Sequence, residues 1–261
     1  MFFRSAKGFK QYWGAVLFGG VYLIELKNVD FLRASIEAIS SFIPEGNFRF
    51  NEKGVHFRAI DPSQVLLVDY FIESSVFDSY EVEPVFLGLN LGELNKIVSR
   101  ALPNDTVAIS ISESEFRVTL KGELERSFRL PLIDVSDDEL KLPELKYDAQ
   151  VEINARLLKE ALKDASLFSS SAVLRTKAEK FFVEAKGSGG TLNASSRTKA
   201  VKVKSKSDVT SKYSLGFLQN IVRQADQDST VMLELKSDSP MKVSYNIGRS
   251  GIKFYLAHML L

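Results

Sequence analysis

Two stretches of this chain say nearly the same thing. Residues 93–111 read ELNKIVSRALPNDTVAISI and residues 217–235 read FLQNIVRQADQDSTVMLEL. Leu94, Ile97, Val98, Thr106, Val107, Ile109 and Ile111 meet Leu218, Ile221, Val222, Thr230, Val231, Leu233 and Leu235, each 124 positions later. Nearer the start of each copy, Leu32, Ile36, Phe57 and Ala59 fall on Leu158, Leu162, Val183 and Ala185 at an offset of 126. A period above one hundred residues is a duplicated domain and not the short unit of a solenoid. The boundaries that follow are an extension at 1–20, a first unit at 21–130, a connector at 131–146 and a second unit at 147–261.

Within each unit the order is strand, helix, several strands, helix, several strands. Apolar residues at helical spacing mark the helices: Leu32, Ile36, Ile39 and Ile43; Leu94, Ile97, Val98 and Ala101; Leu158, Leu162 and Ala165; Leu215, Leu218, Val222 and Ala225. Strands alternate in NFRFNEKGVHFRAI, with Gly54 at a turn, and in VAISISESEFRVTLKG, which turns around Ser112 to Ser114. A Gly-rich loop separates two more strands in AKGSGGTLNASS. Few helices among many antiparallel strands make the chain α+β, with the helices of each unit covering one face of its sheets.

The connector LPLIDVSDDELKLPELKYD lies between prolines at 131 and 143 and carries Asp134, Asp137, Asp138 and Glu139. It reads as an extended strap, with Leu140 and Leu142 alternating on one apolar edge. The first twenty residues, MFFRSAKGFKQYWGAVLFGG, are interrupted by glycines and too short to span a bilayer. They read as a poorly ordered extension or a start assigned too far upstream, with the fold beginning near Val21.

Composition excludes several classes. There is no cysteine, so disulfides and thiolate metal sites are ruled out, and only two histidines occur, His56 and His258. With 34 Lys+Arg against 33 Asp+Glu the net charge is +1, so any nucleic-acid surface must be local. No Walker or dinucleotide-type phosphate loop and no His-rich metal spacing is present. Asp61 and Asp69 flank an apolar strand, but IDPS reads more simply as a turn capped by Asp61 than as part of a nuclease centre.

At family spacing, FRAIDPSQVLLVDYFI, LKLPELKYDAQVEI after an acidic linker, SDSPMKVSYNIG and KFYLA resemble the sliding clamps of the proliferating cell nuclear antigen type, most of all archaeal ones. The resemblance covers the chain from Val21 onward. It implies a processivity factor, not an enzyme: three two-domain chains form a trimeric ring around double-stranded DNA and tether replication and repair enzymes, with no cofactor and no metal. It implies head-to-tail contacts near Glu123 to Arg129 of one chain and Thr191 to Arg197 of the next. Partners would be other clamp subunits in a homo- or heterotrimer, DNA polymerase, clamp loader, flap endonuclease and DNA ligase, engaged through short peptide motifs and away from any membrane. The expected place is the cytoplasm, on the nucleoid of a prokaryotic cell. A specialised subunit of a heterotrimeric clamp, used in repair or damage signalling, is the alternative.

Opposite the apolar stripes lie Lys96 and Arg100, then Arg156, Lys159 and Lys163, with Arg33 and Arg223 flanking the first and fourth helices. On residue type alone an ordinary solvated face accounts for them, because Glu37, Glu93, Glu160 and Asp164 dilute the charge. The clamp plan turns them toward duplex phosphates, read without sequence preference. RTKAVKVKSKS belongs to an acid-free span from Ala185 to Ser207, where lysines serve equally well to blunt an edge strand or to touch DNA. The resemblance further implies a partner-peptide pocket of Ile60, Gln64, Val65, Leu67, Leu140, Leu142, Pro143, Pro240, Tyr255, Leu256 and Ala257. The ending YLAHMLL departs from the family, which has proline where His258 stands, and so puts the tail's contribution to that pocket in question.

Overall fold

The computed structural model describes residues 22–112, 114–134, 140–197 and 201–260. The extension at 1–20, the start near Val21 and the acids Asp137, Asp138 and Glu139 lie outside the described residues.

The first half of the chain runs β1 (Tyr22–Leu26), α1 (Val29–Ser40), β2 (Glu45–Asn51), β3 (Gly54–Ile60), β4 (Leu66–Glu73), β5 (Ser79–Val82), β6 (Val85–Asn90), α2 (Leu91–Val98), β7 (Thr106–Ile111), β8 (Glu115–Lys121) and β9 (Arg126–Pro131). The second runs β10 (Ala149–Asn154), α3 (Ala155–Ser166), β11 (Ser171–Lys177), β12 (Lys180–Gly187), β13 (Gly190–Ser195), β14 (Val201–Ser205), β15 (Val209–Ser214), α4 (Leu215–Val222), β16 (Thr230–Leu235), β17 (Met241–Ile247) and β18 (Ser250–Leu256). The same plan is therefore written twice. The strand order β5-β1-β7-β8-β9 recurs as β14-β10-β16-β17-β18, and β3-β2-β6 recurs as β12-β11-β15. The pairing is antiparallel throughout these ladders.

Local chemistry repeats with the topology. Asn28 Oδ1 accepts the Phe31 N–H, and 126 positions later Asn154 Oδ1 accepts those of Arg156 and Leu157. Each asparagine satisfies donors that the first helical turn leaves open. Side chains alternate on β2, so Phe48 and Phe50 enter the core while Asn47 and Arg49 are only half-buried. Gly54 opens β3 at φ +143, where a Cβ would sit 2.0 Å from the Ile72 carbonyl oxygen, so only glycine fits.

The helical stripes are buried with one exception. α2 buries Leu91, Leu94 and Val98 and leaves Ile97 half-exposed, because Ile97 lies at the margin of the face that Leu91 shares with Leu94 and Val98. Packing gathers residues 22–36, 44–58 and 71–134 into one compact unit, and 37–43, 59–70 and 140–260 into another. Residues 59–70, which carry most of β4, therefore pack with the second half of the sequence.

Candidate nucleic-acid interface and partner pocket

The seven expected DNA-facing cations fall into two groups. Lys96, Arg100, Arg156, Lys163 and Arg223 are exposed. Lys96 and Lys163 each reach back one turn, to Glu93 and Glu160 at 2.7 Å, in exposed pairs of little energetic weight. Arg223 caps α4 and leans on the Asn220 side chain. Arg33 and Lys159 behave differently. Arg33 Nη2 donates to the Ala101 carbonyl at 2.8 Å while Nη1 meets Asp30. Lys159 Nζ donates to the carbonyls of Arg223 at 2.9 Å and Ala225 at 2.7 Å. Burial lowers the Lys159 ammonium below the usual lysine range, neighbouring Lys163 adds to this, and Asp226 opposes it. Between α3 and α4, Lys159, Lys163, Gln219, Asn220, Val222 and Arg223 line an open cavity of about 340 Å³.

The basic stretch resolves into an edge strand. β14 is the outermost strand of its sheet, Lys202 and Lys204 point outward from it, and Lys202 pairs with Glu152 at 3.2 Å. Residues 198–200 lie outside the described residues.

All eleven expected pocket residues fall in the second compact unit. Leu67 on β4 stands opposite Tyr255 on β18, and the Ala257 N–H extends the ladder to the Val65 carbonyl at 2.9 Å. Ile60 is 40% exposed, Gln64 and Pro143 are exposed, and Val65, Leu140, Leu142, Pro240 and Ala257 are half-buried. Leu256 corrects the expectation: it is fully buried, because alternation along β18 sends it to the core while Tyr255 faces the other way. Leu140 and Leu142 share a half-buried side of the strap and Lys141 between them is exposed.

Asp61 organises the turn under this surface. Its Oδ1 accepts the N–H groups of Val65 at 2.7 Å and Leu66 at 2.6 Å, and its Oδ2 accepts the N–H and hydroxyl of Ser63. Burial acts to raise the Asp61 pKa, but the hydrogen bonds from Ser63, Leu66 and Val65 together outweigh it and hold the carboxyl below its usual range. Every oxygen of Asp61 is thus occupied by its own turn, which is the structural role that IDPS suggested.

Two further residues of the second compact unit carry buried polar atoms. His258 sits between backbone bonds from Ala257 to Val65 and from Met259 to Lys212, the latter at 2.7 Å, and its Nδ1 is buried without a hydrogen-bond partner among the described residues. Tyr147 was not singled out in the sequence. Its buried hydroxyl likewise has no partner among the described residues, and burial, with Tyr255, Glu234 and Tyr213 nearby, pushes its phenol pKa up. The only sequence signal for Tyr147 is an aromatic in the alternation Leu145, Tyr147, Ala149 that leads from the strap into β10.

The two strands at the expected subunit contacts are sheet edges. Among the described residues β9 pairs only with β8 and β13 only with β12. Among the described residues there is no group of three His, Cys, Asp or Glu side chains able to hold a metal ion, and no helix long and apolar enough to cross a membrane.

A doubled α+β plan, with exposed cations on and beside its helices and a connector between the two copies, is the architecture of a clamp subunit. The family models agree: residues 22–148 match the proliferating cell nuclear antigen N-terminal domain and residues 141–259 its C-terminal domain. The chain belongs to the proliferating cell nuclear antigen family. Among its relatives, the DNA polymerase sliding clamps of Thermococcus gammatolerans and Pyrococcus horikoshii are each 34% identical over 228 residues, covering 85% of this chain and 92% of theirs. The crystal structure of the proliferating cell nuclear antigen of Thermococcus kodakaraensis superposes with a TM-score of 0.86 at 26% identity, over 92% of this chain and 100% of that one.

Proposed function

We propose that the chain is a subunit of a DNA sliding clamp: a trimeric ring that encircles duplex DNA and tethers DNA polymerase and other replication and repair enzymes to it. It acts as a platform and not as a catalyst, in the cytoplasm and on the nucleoid. The observation that carries this reading is the repeated strand order, β5-β1-β7-β8-β9 against β14-β10-β16-β17-β18, with exposed cations on α2 and α3 and at the end of α4 in a chain of net charge +1. A ring of three such chains presents their helices to DNA six times over. Phosphate contacts of this kind hold without fixing sequence, which is what sliding requires. Tethering then raises the local concentration of a client at its template. Clamp loader, flap endonuclease and DNA ligase complete the proposed partners through the surface around Leu67 and Tyr255.

Light scattering on the purified protein, together with primer extension by an archaeal DNA polymerase on a primed circle, tests the reading. A trimer mass and lengthened products are expected. A monomer that neither trimerises alone nor joins sibling clamp chains, and that leaves product length unchanged, overturns it. Trimerisation only in the presence of sibling chains selects the specialised heterotrimeric subunit, which the unusual His258 tail favours.

A further inference from the structure

We infer that Arg33 and Lys159 are positioning residues, each holding the end of the second helix of its own unit, and that neither serves as a phosphate contact. The inference rests on the clamp reading and revises the role of two of the seven expected DNA-facing cations.

Arg33 and Lys159 are equivalent in the repeat, 126 positions apart, and so are their acceptors Ala101 and Ala225, 124 apart. In both units a cation of the first helix reaches across to the carbonyl groups just past the second. The side chains differ, a guanidinium in one and an ammonium in the other, but the destination is the same. What the two sites share is the turn just past the negative end of a helix, where a cation is favoured.

The need for such a donor is visible in α2 and α4. Each is eight residues long, too short to stand without tertiary support. Neither ends in a left-handed glycine: the residues that follow the caps are Arg100 and Gln224, and both keep a negative φ. The last helical carbonyls, among them Ile97, Val98, Asn220 and Val222, are taken by the N–H groups of the turn that follows, and α1 and α3 supply the donors for the carbonyls of that turn, Ala101, Arg223 and Ala225. In the first unit Arg126 adds a second donor, to the Arg100 carbonyl at 3.0 Å.

Geometry separates these residues from the phosphate-facing set. An ammonium has three donors, and two of those on Lys159 end on Arg223 and Ala225. Lys163, one turn on, keeps its side chain 66% exposed. The held carbonyls lie beside the exposed cations: Lys159 fixes the backbone of Arg223 itself, and Arg33 fixes the residue after Arg100. The positioning residues thereby set where the exposed side chains of Arg223 and Arg100 begin.

The test compares Lys159→Met, Lys159→Arg and Lys163→Met in the full-length protein. Association with a fluorescent duplex is followed against KCl, and amide exchange is followed through the end of α4. Removing a phosphate contact lowers the slope of log K against log salt by about 0.9. Lys163→Met is expected to lower it so and to leave exchange at residues 223–225 unchanged. Lys159→Met is expected to keep the slope and to raise opening there about two- to fivefold, the scale of losing a helix-end cation. Lys159→Arg is expected to restore protection, and Arg33→Met to act on Ala101 as Lys159→Met acts on Ala225. A slope lost in Lys159→Met with exchange unchanged overturns the inference. A wild-type protein that fails to associate with DNA, but whose Lys159→Met variant still loosens α4, counts against the clamp reading while supporting the helix-end role.

Discussion

Leu67 and Tyr255 stand directly opposite each other across the antiparallel β4–β18 pair, on the face turned away from the buried Leu66, Val68, Phe254 and Leu256. Directly opposed side chains have Cβ atoms about 4.5–5.5 Å apart, close enough to form one continuous apolar floor. Leu67→Ala and Tyr255→Ala are each expected to weaken binding of a peptide carrying glutamine and paired aromatics by about 1–3 kcal/mol, the scale of one buried apolar contact. Because the two touch, the double variant is expected to cost less than the two single losses together. Titration calorimetry reads the affinity, and light scattering confirms that assembly is intact. Binding that is measurable yet indifferent to both changes removes the pocket assignment.

Beneath that floor, Asp61 links its own turn to pH. Its carboxyl is held below the ordinary value by the donors of Ser63, Leu66 and Val65. A depressed folded-state pKa contributes stability that is present above the unfolded value of about 3.9 and is lost as pH falls through the folded one. Asp61→Asn is therefore expected to melt below wild type at pH 7, with the gap narrowing as pH drops below about 4. Thermal melts from neutral to acid pH measure this. A gap of constant size means that the charge is not what the turn uses.

The core of the first unit contains a second testable feature, an apolar void of about 40 Å³ bounded by Ile24, Phe48, Leu94, Val98 and Val118 among others. At about 24 cal/mol per Å³, a void of this size is worth about 1 kcal/mol. Val98→Ile is expected to recover part of it and to raise the melting temperature by a few degrees. A fall in melting temperature shows that the walls cannot accommodate the extra methylene.

Much of this architecture is legible in the sequence because alternation and helical spacing are written locally. Phe48 and Phe50, and the stripe Leu158, Leu162 and Ala165, announce their faces within a few residues. What escaped depends on partners distant along the chain. Lys159 reads as a solvated cation until α4 brings the carbonyls of Arg223 and Ala225 to it. Leu256 reads as a pocket residue until strand alternation turns it to the opposite face from Tyr255 and buries it completely. Residues 59–70 sit in the first half of the sequence yet pack with the second, because β18 supplies the strand that pairs with β4.

The last prediction concerns ring closure. Among the described residues β9 and β13 each have one strand neighbour, so each presents an open row of backbone donors and acceptors. Beside β13, Ile153, Leu157, Ala161, Phe181, Ala194 and Val201 border an open cavity of about 290 Å³, and Leu157 is 41% exposed there. Ahead of β9, Leu124 is 69% exposed. A head-to-tail contact uses two different surfaces, so each can be damaged independently. Leu157→Glu spoils the β13 side and leaves β9 intact, while Leu124→Glu does the reverse. Each variant alone is expected to run as a monomer by light scattering, since every contact it makes with itself includes one damaged side. Mixed, they are expected to form a dimer and nothing larger: the intact β9 side of one meets the intact β13 side of the other, and the two remaining sides are both damaged. Monomers in the mixture, or trimers from either variant alone, refute the assignment of these edges.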